Sequence, residues 1–402
     1  MSMSTTAEHV LVINAGSSSL KYQVVDESTG AATATGLVER VGQASGHLTH
    51  TTDDGEFDRD LEVPDHTAAM KAMSAAFEEH GPDLAAANLV AVGHRVVQGG
   101  ARFGHSVLID DEAERIIDEL SDLAPLHNPP NLAGIRAARE LFADLPHVAV
   151  FDTSFHLSMP ERAATYALDR EVADRYRVRR YGAHGTSHQY VAREASHFLG
   201  RDPAETNLIV LHLGNGASAT AVANGRSVDT SMGLTPLEGL VMGTRTGDID
   251  PAVVFHLSRQ AGMSIDEIDN LMNRRSGMYG LTGMIDMRDI TAAADQGDDA
   301  AVLALEIYCY RLRKYIGAYT AVLGRVDAIA FTAGIGENSA PVRAGVLTDL
   351  AHLGVRLDAA ANEERSDRAR RISTPDSPVA ALVVPTNEEW EIAREAVAIT
   401  AG

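Results

Sequence analysis

The sequence has a single cysteine, Cys309, so no disulfide can form within the chain. That fits a reducing compartment, and a cytoplasmic location is expected. No apolar run is long enough to cross a bilayer, and no membrane is expected as a partner. The opening residues carry no Lys or Arg. The apolar stretch after them is only Val10–Ile13, too short for a secretion signal or an anchor. Basic residues are scarce, with 34 Lys and Arg against 56 Asp and Glu and a net charge of −22. Phosphate neutralisation dominates general nucleic-acid binding, so nucleic acid is not an expected partner either. An anion bound by such a chain must be held by a local pocket of Arg, Lys and backbone N–H groups, because the global field repels it. The pattern G-x-x-x-x-G-K-[ST] is absent, which excludes a P-loop.

What is present is a soluble-protein composition, 45% hydrophobic and 22% charged, in 402 residues. That length suggests two or three domains. Short apolar runs predict buried strands at Val10–Ile13, Leu89–Val97, Val148–Phe151, Leu208–Leu213, Ala328–Phe331 and Ala381–Val384. Helical periodicity predicts helices at Glu112–Leu120, Leu132–Phe142, Val191–Phe198, Pro251–Arg259 and Ala300–Leu323. The alternation argues for an α/β architecture. Residues 35–66 are polar and weakly patterned and receive no assignment, and the charged stretch 363–377 reads as a surface loop or helix. A faint echo links L-V-I-N-A-G-S-S-S-L-K-Y (Leu11–Tyr22) with V-L-H-L-G-N-G-A-S-A-T-A (Val210–Ala221), as a duplicated domain would leave, with a seam near Phe151–Phe155.

Three turns could cradle phosphate. In the first, Asn14, Gly16, Ser17, Ser18, Ser19 and Lys21 gather an amide, backbone N–H groups, hydroxyls and a cation. The second, Gly214-Asn215-Gly216-Ala217-Ser218-Ala219, matches G-x-G-x-x-A. That fingerprint requires a helix next, and Ala217–Ala223 reads as a strand, which argues against a dinucleotide site. A phosphate-cradling hairpin and an ordinary tight turn both remain. The third, Phe331–Asn338 (F-T-A-G-I-G-E-N), follows a strand and leads into a helix, with Gly334 and Gly336 allowing close approach. Loops elsewhere collect Arg95, His127, Asp152, His184, His188 and Arg245. His184 and His188 are spaced like two ligands of H-E-x-x-H, but the Glu is missing and Gly185 follows, so zinc is not expected. Arg95 lies in a strand-like run and needs an anionic partner, either a structural carboxylate or a ligand. Asp152, Arg245, Glu388 and His127 each also read as ordinary surface or loop residues.

Taken together, V-I-N-A-G-S-S-S-L-K, G-H-R-V-V-Q-G-G, H-N-P, F-D-T-S-F-H, Y-G-A-H-G-T-S-H, H-L-G-N-G-A-S, M-G-L-T-P-L-E-G-L-V-M-G-T-R-T-G-D-I-D-P, S-G-M-Y-G-L-T-G, D-M-R, G-I-G-E-N and T-N-E-E resemble the acetate kinase family, in family order across nearly the whole chain. The resemblance implies two duplicated ribonuclease-H-like (actin-like ATPase) domains with a cleft between them. It divides the chain into 1–152 plus 389–402 on the acyl-substrate side and 153–388 on the nucleotide side, and implies a homodimer. The implied reaction is Mg²⁺-dependent (or Mn²⁺-dependent) phosphoryl transfer from ATP to acetate, giving acetyl phosphate and ADP. By motif, Arg95 and Arg245 would clamp acetate and the moving phosphoryl group, His184 would donate a hydrogen bond to it, and Asp152 would orient substrate or arginines. Asn14 and Glu388 would place the metal. Ser18, Lys21, His212, Gly214, Asn215 and Gly216 would sit at the phosphates. Asp286, Met287, Arg288, Gly334, Ile335, Gly336 and Asn338 would surround the adenosine. Val97, Leu126, His127 and Pro236 would line the acyl pocket with residue 183, where this chain has Ala183 in place of the family's usual Phe. The lost ring is expected to admit propionate better than in relatives that keep it, unless a neighbour fills the gap. The rival readings are a chaperone or filament ATPase of the same superfamily, a dinucleotide-dependent oxidoreductase, and a propionate or broad short-chain carboxylate kinase.

Overall fold

The computed structural model describes residues 7–401. They divide into two compact units, one holding the residues through Phe155 together with those from Asn387 onward, the other His156–Thr386. The first unit therefore includes Glu388, which the sequence boundary had assigned to the second.

The first unit is built on a sheet ordered β5-β4-β3-β2-β1-β6-β8-β7. Strands β1 (His9–Ala15) and β2 (Ser19–Asp26) flank the first Gly/Ser turn and pair antiparallel, with Asn14 opposite Lys21. The antiparallel side continues through β3 (Ala32–Glu39), β4 (Gly46–Thr52) and β5 (Gly55–Leu61). These strands fill the stretch that periodicity left unassigned. The reason is visible in G-E-F-D-R-D-L of β5: this edge strand has no buried residue, and its charges guard an open edge instead of marking a core. On the other side, β6 (Leu89–Val96) and β8 (His147–Phe151) run parallel to β1, and the two-residue β7 (Val107–Leu108) closes the edge.

Every residue of β8 is buried, as expected of a parallel strand covered on both faces. The period of two in β1 splits its apolar set. Leu11 and Ile13 pack with Met70, Met73 and Phe77 of the helix His66–His80. Val10 and Val12 pack with Val148 and Val150 and with Ile392, Ala393 and Ala396 of the helix Glu388–Ala401.

The second unit has the order β11-β10-β9-β12-β14-β13. Its strands are β9 (Asn207–Leu213), β10 (Ala217–Ala223), β11 (Arg226–Thr230), β12 (Ala328–Thr332), β13 (Arg370–Arg371) and β14 (Ala380–Val383). Without the outer strands, β3-β2-β1-β6-β8 and β11-β10-β9-β12-β14 share one order and one set of directions, three antiparallel strands followed by two parallel ones. This is the duplicated ribonuclease-H-like arrangement. The echoing segments are β1-turn-β2 and β9-turn-β10, so the faint repeat marks equivalent hairpins. The helix Asp299–Leu323, capped by Asp298, buries Ala301, Ala304, Tyr308, Leu312, Ile316 and Tyr319 along one stripe. Cys309 lies among them, and burial pushes its thiol up to about 11, which leaves it unreactive. The charged stretch 363–377 is mainly loop around the short strand β13.

Candidate active site

In sheets with parallel strands, ligand-bearing side chains collect where those strands end. In the first unit, Asn14, Arg95 and Asp152 occupy the carboxyl ends of β1, β6 and β8. Arg95 Nη2 donates to Asp152 Oδ2 at 2.9 Å, and its Nε lies 3.7 Å from Glu388 Oε2 at the start of the helix Glu388–Ala401. Asp152 is only 1% exposed, so the buried arginine expected from the sequence has a structural carboxylate partner. Burial holds the Glu388 carboxyl above the ordinary carboxylate range. Asp152 and Glu389 add to the shift, while Arg95 and Lys21 oppose it. Asn14 and Lys21 line a groove of about 310 Å³ with Glu389. Ser18 does not line it; it is exposed, and its carbonyl accepts from Val41 N.

The acyl-pocket candidates of this unit are less concentrated. Val97 is half-buried, whereas Leu126 is 61% exposed and His127 caps the helix Asn128–Leu141 from an exposed position. Sequence reasoning missed the pegs that hold these strand ends. Asn131 accepts from Val97 N at 3.0 Å and donates to Ala15 O, and Asn128 accepts from Gln98 N at 3.0 Å. The signal was present in H-N-P-P-N, two amides three residues apart in a proline-started helical turn.

In the second unit, the side chains gather at the β9–β10 turn. His184 precedes the helix Gly185–Phe198 in a left-handed conformation, φ 57°, which a non-glycine residue adopts only when its surroundings hold it there. Its ring stacks on His212 at 4.2 Å, and its Nδ1 is 2.9 Å from Ser218 Oγ. A side chain at Gly216 would stand 3.4 Å from Arg245 Nη2 and 3.5 Å from His184 Nε2, so both groups converge on the bare backbone of this turn. Arg245 Nη1 donates to the Pro236 carbonyl at 2.9 Å. Among the described residues it pairs with no carboxylate, and burial alone holds its guanidinium below the usual arginine value.

A groove of about 950 Å³ is lined by Gly214, Asn215, Asp286, Met287, Arg288, Gly334, Ile335 and Asn338, all singled out from the sequence. Thr291, Ala292, Asp295 and Arg365 also line it, with Ile285, Ser339 and Pro341, and were not. The first three extend the face of the helix Met287–Asp295 by one and two turns, a spacing that could have found them. Asp286 caps that helix and is held down to about 2 by its hydrogen bonds from Arg288. Three residues fall elsewhere. His212 and Gly216 belong with His184, and Gly336 turns toward the sheet, where a side chain would stand 3.4 Å from Phe331. The third turn is itself helical (Ala333–Asn338), starting from Ala333 at φ 62°. Ala183 is buried in the core of this unit.

The profile of the Acetokinase family matches residues 9–394. An acetate kinase of Leifsonia xyli is 58% identical over 98% of this chain and 99% of its own length. Among solved structures, an acetate kinase of Porphyromonas gingivalis is 41% identical with a TM-score of 0.94, over 98% of this chain and 100% of that one. A propionate kinase of Francisella tularensis is 40% identical with a TM-score of 0.91 over the same shares. With the duplicated sheets and the Arg, His and Asp side chains at their strand ends, these matches establish that the chain belongs to the acetokinase family.

Proposed function

We propose that the chain reversibly transfers the γ-phosphoryl group of ATP to acetate by direct in-line transfer, giving acetyl phosphate and ADP. The observation that carries this reading is Arg245, a partly buried cation that pairs with no carboxylate among the described residues and faces the same turn as His184. A buried guanidinium lacking a counter-charge is costly unless the missing anion is a ligand. A phosphoryl group in transfer spreads negative charge over its oxygens, and catalysis of that step is positioning and charge stabilisation. In this reading the fork of Arg245 meets those oxygens, His184 Nε2 donates to one of them, and the nucleotide occupies the 950 Å³ groove. Arg95, oriented by Asp152, holds the carboxylate, with Val97, Leu126 and His127 of the same unit on the acyl side.

Magnesium (or manganese) suits the donors of this unit, the amide oxygen of Asn14 and the carboxylate of Glu388, as hard oxygen ligands. Among the described residues no group of three His, Cys, Asp or Glu side chains could hold a metal, so the ion would take most of its shell from phosphate and water. When bound, it would neutralise phosphate charge.

The test is hydroxamate-trapped acyl phosphate formation with Mg-ATP and acetate, propionate or butyrate. The expected order is acetate first and butyrate last. No product from any of the three sinks the proposal. A preference for propionate favours the second reading, which the 40% identical propionate kinase supports.

The working form is proposed to be a homodimer in the cytosol. The helix Ala252–Ala261 buries none of its residues, although it carries Val253 and Phe255, and Phe255 is 57% exposed. A second copy is proposed to cover this face, so Phe255→Asp should convert a dimer to monomer in sedimentation at micromolar concentration. A wild-type monomer under those conditions would refute the dimer.

A further inference from the structure

Two histidines one helical turn apart lean on a single hydroxyl. Ser218 Oγ lies 2.9 Å from His184 Nδ1 and 2.7 Å from His188 Nε2, and both Ser218 and His188 are fully buried. Ser218 stands directly opposite His212 across the β9–β10 ladder, which puts the stacked His184–His212 pair and the serine on one face of the sheet. The spacing that a zinc motif would use is applied here to a serine.

We propose that Ser218 and His188 are positioning residues that fix the tautomer of His184, so that its Nε2 carries the proton presented to the transferring phosphoryl group. The proposal rests on reading His184 as the donor to that group. A hydroxyl has one hydrogen, so it donates to one imidazole and accepts from the other. His188 decides the direction. Its Nδ1 has no hydrogen-bond partner among the described residues. Burial, with His156, His212 and His184 close by, holds it far below the ordinary histidine pKa, so it is neutral with one ring proton. On Nδ1 that proton would be a buried N–H with no acceptor, the rarer kind of defect. On Nε2 it is donated to Ser218 Oγ. Ser218 then donates to His184 Nδ1, and a neutral His184 must carry its own proton on Nε2, the edge that faces Gly216 and Arg245. Stacking on His212 fixes the plane of the His184 ring but does not choose between its nitrogens. The serine makes that choice.

The experiment uses the full chain with ¹⁵N-labelled histidine. Long-range ¹H–¹⁵N spectra should show His184 as the Nε2–H tautomer in the wild type and as a mixture in Ser218→Ala. The same variant should lose roughly 10- to 100-fold in kcat, as loss of an orienting partner typically costs, with the KM for ATP unchanged. His188→Gln keeps an N–H at the Nε2 position and should retain activity, whereas His188→Leu should behave like Ser218→Ala. An Nδ1–H tautomer in the wild type overturns the proposal, as does a Ser218→Ala variant with unchanged kcat and spectrum. If Ser218→Ala does not fold, the wild-type spectrum alone decides. An Nε2–H tautomer in a protein that makes no acyl phosphate overturns the donor reading and leaves the tautomer assignment standing.

Discussion

Arg95→Ala loses acyl phosphate formation by about a thousandfold and weakens the fold in the same step. The guanidinium is held between Asp152 at 2.9 Å and Glu388 at 3.7 Å. It is thus both the proposed carboxylate clamp and the counter-charge of two acidic groups. Removing it leaves Asp152 buried without that partner, and breaking a buried pair from one side costs about 3 kcal/mol or more. Arg95→Lys should recover part of the stability and little of the activity, since a point charge cannot span both carboxylates and a substrate as a planar fork does. Hydroxamate trapping and thermal melts read the two losses. An Arg95→Ala protein that melts with the wild type would show that the ion pair is not structural.

Arg245→Met should lose a comparable share of activity, with a change of opposite sign in stability. Among the described residues no carboxylate offsets this partly buried charge, and its guanidinium donates to the Pro236 carbonyl. Replacing the cation by an apolar chain of similar reach relieves its desolvation, and the ligand-free protein should gain about 1 kcal/mol. The wild type should recover the difference on binding anions, so nucleotide with acetate should raise its melting point more than that of the variant. A ligand-free Arg245→Met protein less stable than the wild type would mean that the guanidinium is a structural tether. The two arginines look alike in sequence, each in a glycine-bearing motif. Only the structure tells the compensated one from the uncompensated one.

The same distinction separates what was legible in the sequence from what was not. Strands β1, β6, β8, β9, β12 and β14 were readable because buried parallel strands are short apolar runs. Strands β3 to β5 were not, because the outer part of that sheet is partly exposed and its edge is charged. The groove residues from Gly214 to Asn338 were found through motifs, but the inward turn of Gly336 and the exposure of Leu126 are properties of neighbours. No motif singles out Arg343, which is 1% exposed, donates to the carbonyls of Gly336, Glu337 and Asn362, and so ties down the helix Ala333–Asn338. Ser218 likewise reads as a small residue in a strand, with nothing in the sequence to name the two histidines that share its hydroxyl.

The helix Glu388–Ala401 supplies Ile392, Ala393 and Ala396 to one face of the first sheet, against Val10, Val12, Val148 and Val150. During synthesis that face emerges long before its cover. At roughly 5–20 residues per second, the intervening second unit occupies the ribosome for on the order of tens of seconds. Through that interval the nascent first unit exposes the valines of β1 and β8, the condition under which incomplete domains aggregate. The helix also carries Glu388, so the cluster of Arg95, Asp152 and Glu388 is assembled only as this face of the sheet is closed.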